Sequence, residues 1–399
     1  MISGRSQRVS RLPLYLTQFL SGVVWVTLGP LLDSVLRDLG IPLSRGGIVA
    51  LAFFLGSVVG LVSLNVVLAQ VPIKWCLVGA GLLEAAALTA AGLLSYDSWS
   101  LLASFFFMGF AAVILGAVPG MWLSAHVKEG TARAMTVMMM SSVSGMTLTP
   151  IVLGVLLNSG ANWRSILAGE AVFALVVTLA LAALPLADIP RRENLRPRHV
   201  RAVAAFNPRL LAAIVAASFM YLGAEMTLVV WLPKFESDMF GASATWASLS
   251  VTFYFIGQIV GRLIAIPFTR RFLASSLLFV CAIAMGVFAG AIGLSPGQGI
   301  SLALTFCAGL GSSAAFSFIG SYAAEFPDWH AGVVFSAFQL AGGVGGMVFP
   351  YLTGPLAASA GFKAAIAFAA VPALIVAFLA LRLREASGEV RLSARTVWK

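Results

Sequence analysis

Three acidic residues stand where carboxyl chemistry is hardest to sustain. Glu84, Glu170 and Glu225 each lie inside a long apolar run of the sequence, and a carboxylate held in an apolar medium is costly to keep ionised unless something compensates it. A residue retained at that cost is a candidate for carrying a proton, binding a cation or gripping a polar solute, with a structural hydrogen bond to a neighbouring element as the competing role. Glu225 follows Tyr221 by four residues, which on a helix puts carboxyl and phenol on one face. Asp33, near the end of the first apolar run, is a fourth acid to weigh. Other chemistry is poorly provided for. Cys76, Cys281 and Cys307 show no CxxC or histidine spacing, so they read as small buried hydrophobes rather than a metal site or a disulfide framework. No GxxxxGK[ST] phosphate loop occurs, and no cofactor is expected.

The elements that must position these acids follow from composition. Of 399 residues, 60% are hydrophobic and 10% charged, against roughly 25% charged in a soluble domain. The apolar residues fall in blocks of about 20 to 28, and a helix of about 20 apolar residues crosses a bilayer. Spans are expected at 12 to 36, 45 to 69, 73 to 94, 98 to 125, 131 to 158, 164 to 186, 209 to 233, 244 to 268, 273 to 293, 299 to 324, 331 to 357 and 363 to 382. Arg5, Arg8 and Arg11 precede the first run as in a signal peptide, but that run continues to Pro30 without a small-residue cleavage pattern and reads as a permanent span. Twelve spans leave no room for a folded aqueous domain, so the fold class is an all-α polytopic membrane protein and an enzyme is not expected.

On this count Glu225 lies about 16 residues, or roughly 24 Å at ~1.5 Å per residue, into the seventh span and so in its outer half. Glu84 falls at mid-bilayer, about 15 Å from Lys74, and Glu170 about 9 Å inside the outer end of the sixth span. The net charge of +10 would suggest nucleic acid in a soluble protein, but the 25 basic residues cluster in alternate connections and no nucleic-acid partner is expected. With both termini cytoplasmic, 20 lie inside and only Arg37, Arg45, Arg164, Lys234 and Lys363 outside, as the positive-inside rule requires.

The charged, proline-interrupted stretch 188–207 divides the chain into halves, 1–187 and 208–384, with a tail from 385 to 399. The halves are repeats. Gly109, Gly120, Gly145, Pro150 and Gly154 recur 200 residues later as Gly309, Gly320, Gly345, Pro350 and Gly354. Gly22, Gly56 and Gly60 recur 201 residues later as Gly223, Gly257 and Gly261. One such match would mean little among membrane helices, but eight at nearly one register imply duplication, and parallel repeats of this kind make up the two halves of 12-span transporters. The Gly56/Gly60 and Gly257/Gly261 pairs suit close helix packing. Gly145 and Pro150, with Gly345 and Pro350, are candidate gating positions, because each proline removes a backbone hydrogen bond and lets its helix bend.

The motifs Gly29-Pro-Leu-Leu-Asp33, Phe53-Phe-Leu-Gly56-Ser-Val-Val-Gly60 and Ser144-Gly145-Met-Thr-Leu-Thr-Pro150-Ile-Val-Leu-Gly154 resemble those of the major facilitator superfamily across essentially the whole chain. The seventh and eighth spans, Tyr221-Leu-Gly-Ala-Glu225 with Trp231, then Gly257-Gln-Ile-Val-Gly261-Arg262, are similar to the fucose/proton symporter branch. That resemblance implies two six-helix bundles with the first, fourth, seventh and tenth helices around a cavity. It makes Gln18, Trp25, Trp122, Tyr221, Glu225, Trp231, Ser317 and Tyr322 binding candidates, bordered by Tyr254, Gln258 and Gln339. Amides and hydroxyls would bind sugar hydroxyls and an aromatic ring would cover an apolar sugar face. Two departures matter. The family's Asp-Arg-x-Gly-Arg-Arg gate between spans two and three is replaced by Leu68-Ala-Gln70-Val-Pro72-Ile-Lys74-Trp75, whereas Thr269-Arg270-Arg271 survives in the second half. The branch's first-span acid aligns with Gly29, leaving Asp33 one turn later as its substitute and Glu84 as a further coupling candidate. Arg262 and Arg133 are then gate or interface-anchor residues.

The reading is a secondary transporter moving a small organic solute, sugar-like by resemblance, through alternating access. A proton gradient is a candidate driving force, and the bilayer and the solute are the partners. The working unit is expected to be a monomer in a bacterial cytoplasmic membrane. An exporter of amphipathic drugs or lipids, and a non-transporting membrane sensor or assembly partner, are the alternatives.

Overall fold

The computed structural model describes residues 12–126, 131–183, 186, 188, 203, 205–269 and 271–387. Within them every long element is helical, as it must be where lipid cannot satisfy backbone N–H and C=O groups. The helices are α1 Leu12–Asp38, α2 Gly47–Gln70, α3 Ile73–Leu93, α4 Ser98–His126, α5 Thr131–Asn158, α6 Trp163–Ala183, α7 Pro208–Phe240, α8 Ala244–Phe268, α9 Ala274–Ile292, α10 Gln298–Ser312, α11 Ala315–Ser321, α12 Asp328–Ala360, α13 Phe362–Ala367 and α14 Ala370–Ser387. With α10 and α11 forming one span and α13 and α14 another, twelve are long and apolar enough to cross a membrane among the described residues.

The chain forms two compact units, residues 1–194 with 243–252, and residues 195–242 with 253–399. The glycine register of the sequence becomes matched packing in the two. In the first unit a Cβ at Gly56 would collide with the Phe106 carbonyl and one at Gly109 with the Phe53 carbonyl, so α2 and α4 touch backbone to backbone. In the second, Gly257 abuts the Phe306 carbonyl and Gly309 the Tyr254 carbonyl, giving α8 and α10 the same contact. Gly22 and Gly145 join α1 to α5, and Gly345 joins α7 to α12 through the Phe219 carbonyl. Small residues at these crossings allow the approach that dispersion forces need in lipid. Helix ends repeat too: Gly40 and Gly241, and Gly160 and Gly361, take positive φ of 60°, 64°, 90° and 87°, a region open to glycine at little cost.

Two expectations need correction. The tenth span is not continuous over 299–324 but breaks between α10 and α11 at Ser313 and Ala314. Gly309 and Gly311 weaken the helix there, Ser312 Oγ bonds back to the Gly309 carbonyl at 3.0 Å, and Arg262 Nε donates to the Ser313 carbonyl at 2.7 Å. The seventh span does not end at 233. It runs on through Pro233 to Phe240, closed by the Gly241 cap.

Candidate functional site

In the second unit the structure gathers five sequence candidates, Tyr221, Glu225, Tyr254, Gln258 and Arg262, into one polar cluster between α7, α8 and the end of α10. The glycine contacts that press α8 onto α10 are what bring these side chains within reach of each other. Gln258 is the centre. Its Nε2 donates to Glu225 Oε1 at 2.5 Å and to Ser312 Oγ at 3.1 Å, and its Oε1 accepts from Arg262 Nη2 at 3.2 Å. The Tyr221 hydroxyl, beside the Glu225 carboxyl, donates to the Ser312 carbonyl at 3.1 Å. Glu225 and Gln258 are 6% and 2% exposed, and Tyr254 is fully buried with Glu225, Gln258 and Ser312 as polar neighbours.

The electrostatic logic is a buried acid and a guanidinium held apart by one amide. A buried charge must be paired or hydrogen-bonded, and Gln258 does this for both ends because an amide donates and accepts at once. Half-buried Arg262 is turned inward, one N–H on Gln258 and another on the carbonyl freed by the break in the tenth span. The carboxyl is therefore held in place by the Gln258 amide, with the Tyr221 hydroxyl beside it. Such a group can exchange a proton, or grip a hydroxyl, without rebuilding the cluster.

The remaining candidates are placed elsewhere. Trp231 is fully buried and its indole N–H donates to the Pro350 carbonyl at 2.9 Å, tying α7 to the proline turn of α12. Tyr322 is buried, Gln339 half-buried and Ser317 exposed. In the first unit Gln18 donates to the Gly116 carbonyl of α4, and Trp25 packs edge-on against Phe53 and Phe54, with ring centroids 5.6 and 5.5 Å away. Trp122, also buried, stacks on His126 at 4.5 Å. Asp33 pairs with Arg37 one turn on at 2.6 Å, at the end of α1. Glu84 is fully buried with neither carboxylate oxygen hydrogen-bonded. Glu170 accepts from Thr27 at 3.0 and 3.1 Å. Pro150 interrupts the α5 ladder as Pro350 does that of α12. The side chain of Arg133 lies outside the described residues.

Sequence reasoning missed two participants. Glu236, assigned to a loop, is fully buried on α7 and accepts from Ser301; the Gly241 cap and the Lys234–Asp238 pair at 3.1 Å, spaced one turn apart, are the signals that the helix continues. Ser312 and Ser313 are the second, and no spacing rule marks them, since their role arises from the helix break.

A twelve-span, two-unit chain with this glycine register has a known family, and comparison supplies it. The family model described as Major Facilitator Superfamily matches residues 14–250 and 237–398. The chain belongs to the major facilitator superfamily. It is thus a multi-pass integral membrane protein and a transporter rather than an enzyme. Among solved superfamily structures, the nucleoside transporter NupG is 16% identical with a TM-score of 0.74, covering 94% of this chain and 98% of that one. The xylose transporter XylE from E. coli in its inward open conformation is 13% identical with a TM-score of 0.75, covering 93% and 94%. A bacterial homolog to the human lysosomal transporter Spinster is 14% identical with a TM-score of 0.72, covering 99% and 98%. At these identities the likeness is one of fold, and it does not single out the fucose symporter branch. No curated protein matches the chain by sequence.

Proposed function

We propose that this superfamily member is a proton-coupled secondary transporter of a small polyhydroxylated solute, a sugar or sugar-like molecule, working by alternating access. The observation that carries the reading is the Tyr221, Glu225, Gln258 and Arg262 cluster: a buried carboxyl beside a phenol, linked to an arginine through a single amide. Glu225 is the coupling or substrate-binding group, and Tyr221, Tyr254 and Gln258 offer the phenols and amide that polyol recognition uses. Structural neighbours bearing the names nucleoside transporter and xylose transporter support that solute class. The reading includes two six-helix bundles at 1–187 and 208–384 joined by a basic cytoplasmic linker, both termini inside, and a monomer in a bacterial cytoplasmic membrane.

The test begins with a thermal-shift screen of the detergent-purified protein against sugars, nucleosides, organic acids and drugs. A ligand at 100 times its Kd stabilises the native state by about 2.7 kcal/mol. The hit is then loaded into proteoliposomes with an imposed pH gradient. Accumulation of a sugar or nucleoside that collapses with a protonophore supports the reading. Stabilisation only by amphipathic drugs, with efflux rather than uptake, would replace it with the exporter.

A further inference from the structure

The second unit carries an apolar cavity of about 440 Å³ that borders the polar cluster at Gly261 and Ser313 and is otherwise lined by apolar side chains with an exposed mouth. Its walls come from α8 (Gly261 to Phe268), α9 (Ser276 to Phe288), α10 (Cys307 to Gly311), Ser313 in the helix break and Phe318 on α11. Its mouth is exposed: Ile264, Phe268, Phe272 and Val280 are 54%, 45%, 54% and 63% accessible. Ile264, Phe268 and Val280 belong to membrane-spanning helices, so the medium there is hydrocarbon, and Phe272 lies in the turn that joins those helices.

Three observations fix the occupant. The cavity follows α9 from Ser276 to Phe288, a rise of roughly 18 Å at ~1.5 Å per residue, which is close to one leaflet of a hydrocarbon core about 30 Å thick. Its lining is almost wholly apolar, with Ser276 and Ser313 the only hydroxyls among the lining residues. At its α9 entrance Phe272 follows the exposed Arg271 directly, and the sequence from 239 to 324 contains three arginines and no acidic residue. The mouth thus offers apolar length inside the bilayer and, at Arg271, a positive charge with no ion pair among the described residues, on the side of the membrane that also bears the basic linker, since spans seven and eight return the chain to it.

We infer that this cavity is a lipid site that takes one acyl chain of an anionic glycerophospholipid, with the phosphate headgroup at Arg271. The chain ends near Phe288, and the wall it touches includes Gly261 and Ser313. These flank Arg262 and supply the carbonyl that Arg262 holds, so an occupant braces the break in the tenth span. The site adjoins the polar cluster but takes a different ligand, and its test does not depend on the identity of the transported substrate.

The test uses the full chain in detergent, with Cys76→Ala so that Cys281 and Cys307, both in the cavity wall, are the reporting thiols. Phosphatidylglycerol and phosphatidylcholine with the same acyl chains are the probes, read by native mass spectrometry and by the rate of N-ethylmaleimide alkylation. Phosphatidylglycerol is expected to slow alkylation of both thiols several-fold and to be retained about fivefold better than phosphatidylcholine, the worth of one basic residue near an anionic surface. Arg271→Gln should erase that preference, and Ala284→Trp or Ala265→Phe, which fill the cavity, should remove one bound lipid. Alkylation that lipid leaves unchanged in the parent overturns the site. Equal retention of the two lipids overturns the anionic headgroup, and undiminished lipid counts in both filled variants place the lipid elsewhere.

Discussion

Gln258→Leu is the substitution that most directly measures the polar cluster. Leucine keeps nearly the volume of glutamine, so no sizeable cavity opens, and the change isolates hydrogen bonding. It deletes the 2.5 Å donor to Glu225, the 3.1 Å donor to Ser312 and the 3.2 Å acceptor for Arg262. Two of those three bonds join charged groups, each worth about 1.5 to 3 kcal/mol when broken in a buried setting. Arg262 keeps its bond to the Ser313 carbonyl and recovers part of the loss, so about 2 to 4 kcal/mol of destabilisation is expected. A thiol-reactive fluorophore reads it in a thermal ramp, because Cys76 is buried in the native state and is exposed on unfolding. The second variant is the control. Replacing one member of a buried charged network costs more than neutralising its partners as well, so Glu225→Gln combined with Gln258→Leu should lose less than Gln258→Leu alone, a coupling of roughly 0.5 to 3 kcal/mol. If Gln258→Leu melts at or above the parent, the cluster is not a satisfied network and the argument for a positioned carboxyl fails.

Further outcomes follow from the packing and the topology. Gly109→Leu and Gly309→Leu should each abolish a monodisperse peak in fluorescence-detected gel filtration, because a side chain there meets a carbonyl of the facing helix, whereas Gly79→Ala, with nothing within 4 Å, should be tolerated. Pro150→Ala and Pro350→Ala should slow turnover several-fold while leaving the solute Kd within about twofold, since a bend belongs to the conformational step; unchanged turnover in both would make the prolines packing features. Impermeant maleimide should label a cysteine placed at Gly297 from outside intact cells and leave one at Asn194 unlabelled, following the charge bias of the connections. The reverse pattern inverts the orientation.

Much of the architecture was legible because lipid allows few solutions. Apolar blocks of spanning length had to become helices, and glycines recurring at one register became the contacts of α2 with α4 and of α8 with α10. The site was half legible. Glu225 and Tyr221 are paired by helical spacing, and Gln258 and Arg262 share a face of α8 one turn apart, all of which the sequence displays. That these two faces meet, and that they meet at Ser312 and Ser313, depends on a break in the tenth span whose free carbonyl is taken by Arg262. Such a break has no periodic signature. Glu236 was lost for a different reason. Pro233 and Lys234 resemble a helix end and mask the Gly241 cap that closes α7 further along the chain. Thr27 as the partner of Glu170 was likewise hidden, since a threonine in an apolar run is ordinary until the two helices are docked.

The central claim is that the Glu225 carboxyl couples solute movement to protons. Glu225→Gln preserves size and hydrogen-bonding capacity and removes only the titrating proton, so it separates coupling from binding. In proteoliposomes carrying the solute found by the thermal-shift screen, the variant should exchange labelled for unlabelled solute at close to the parental rate while failing to accumulate it under an imposed pH gradient. Accumulation by Glu225→Gln equal to that of the parent would contradict the claim and leave Glu225 a structural carboxyl.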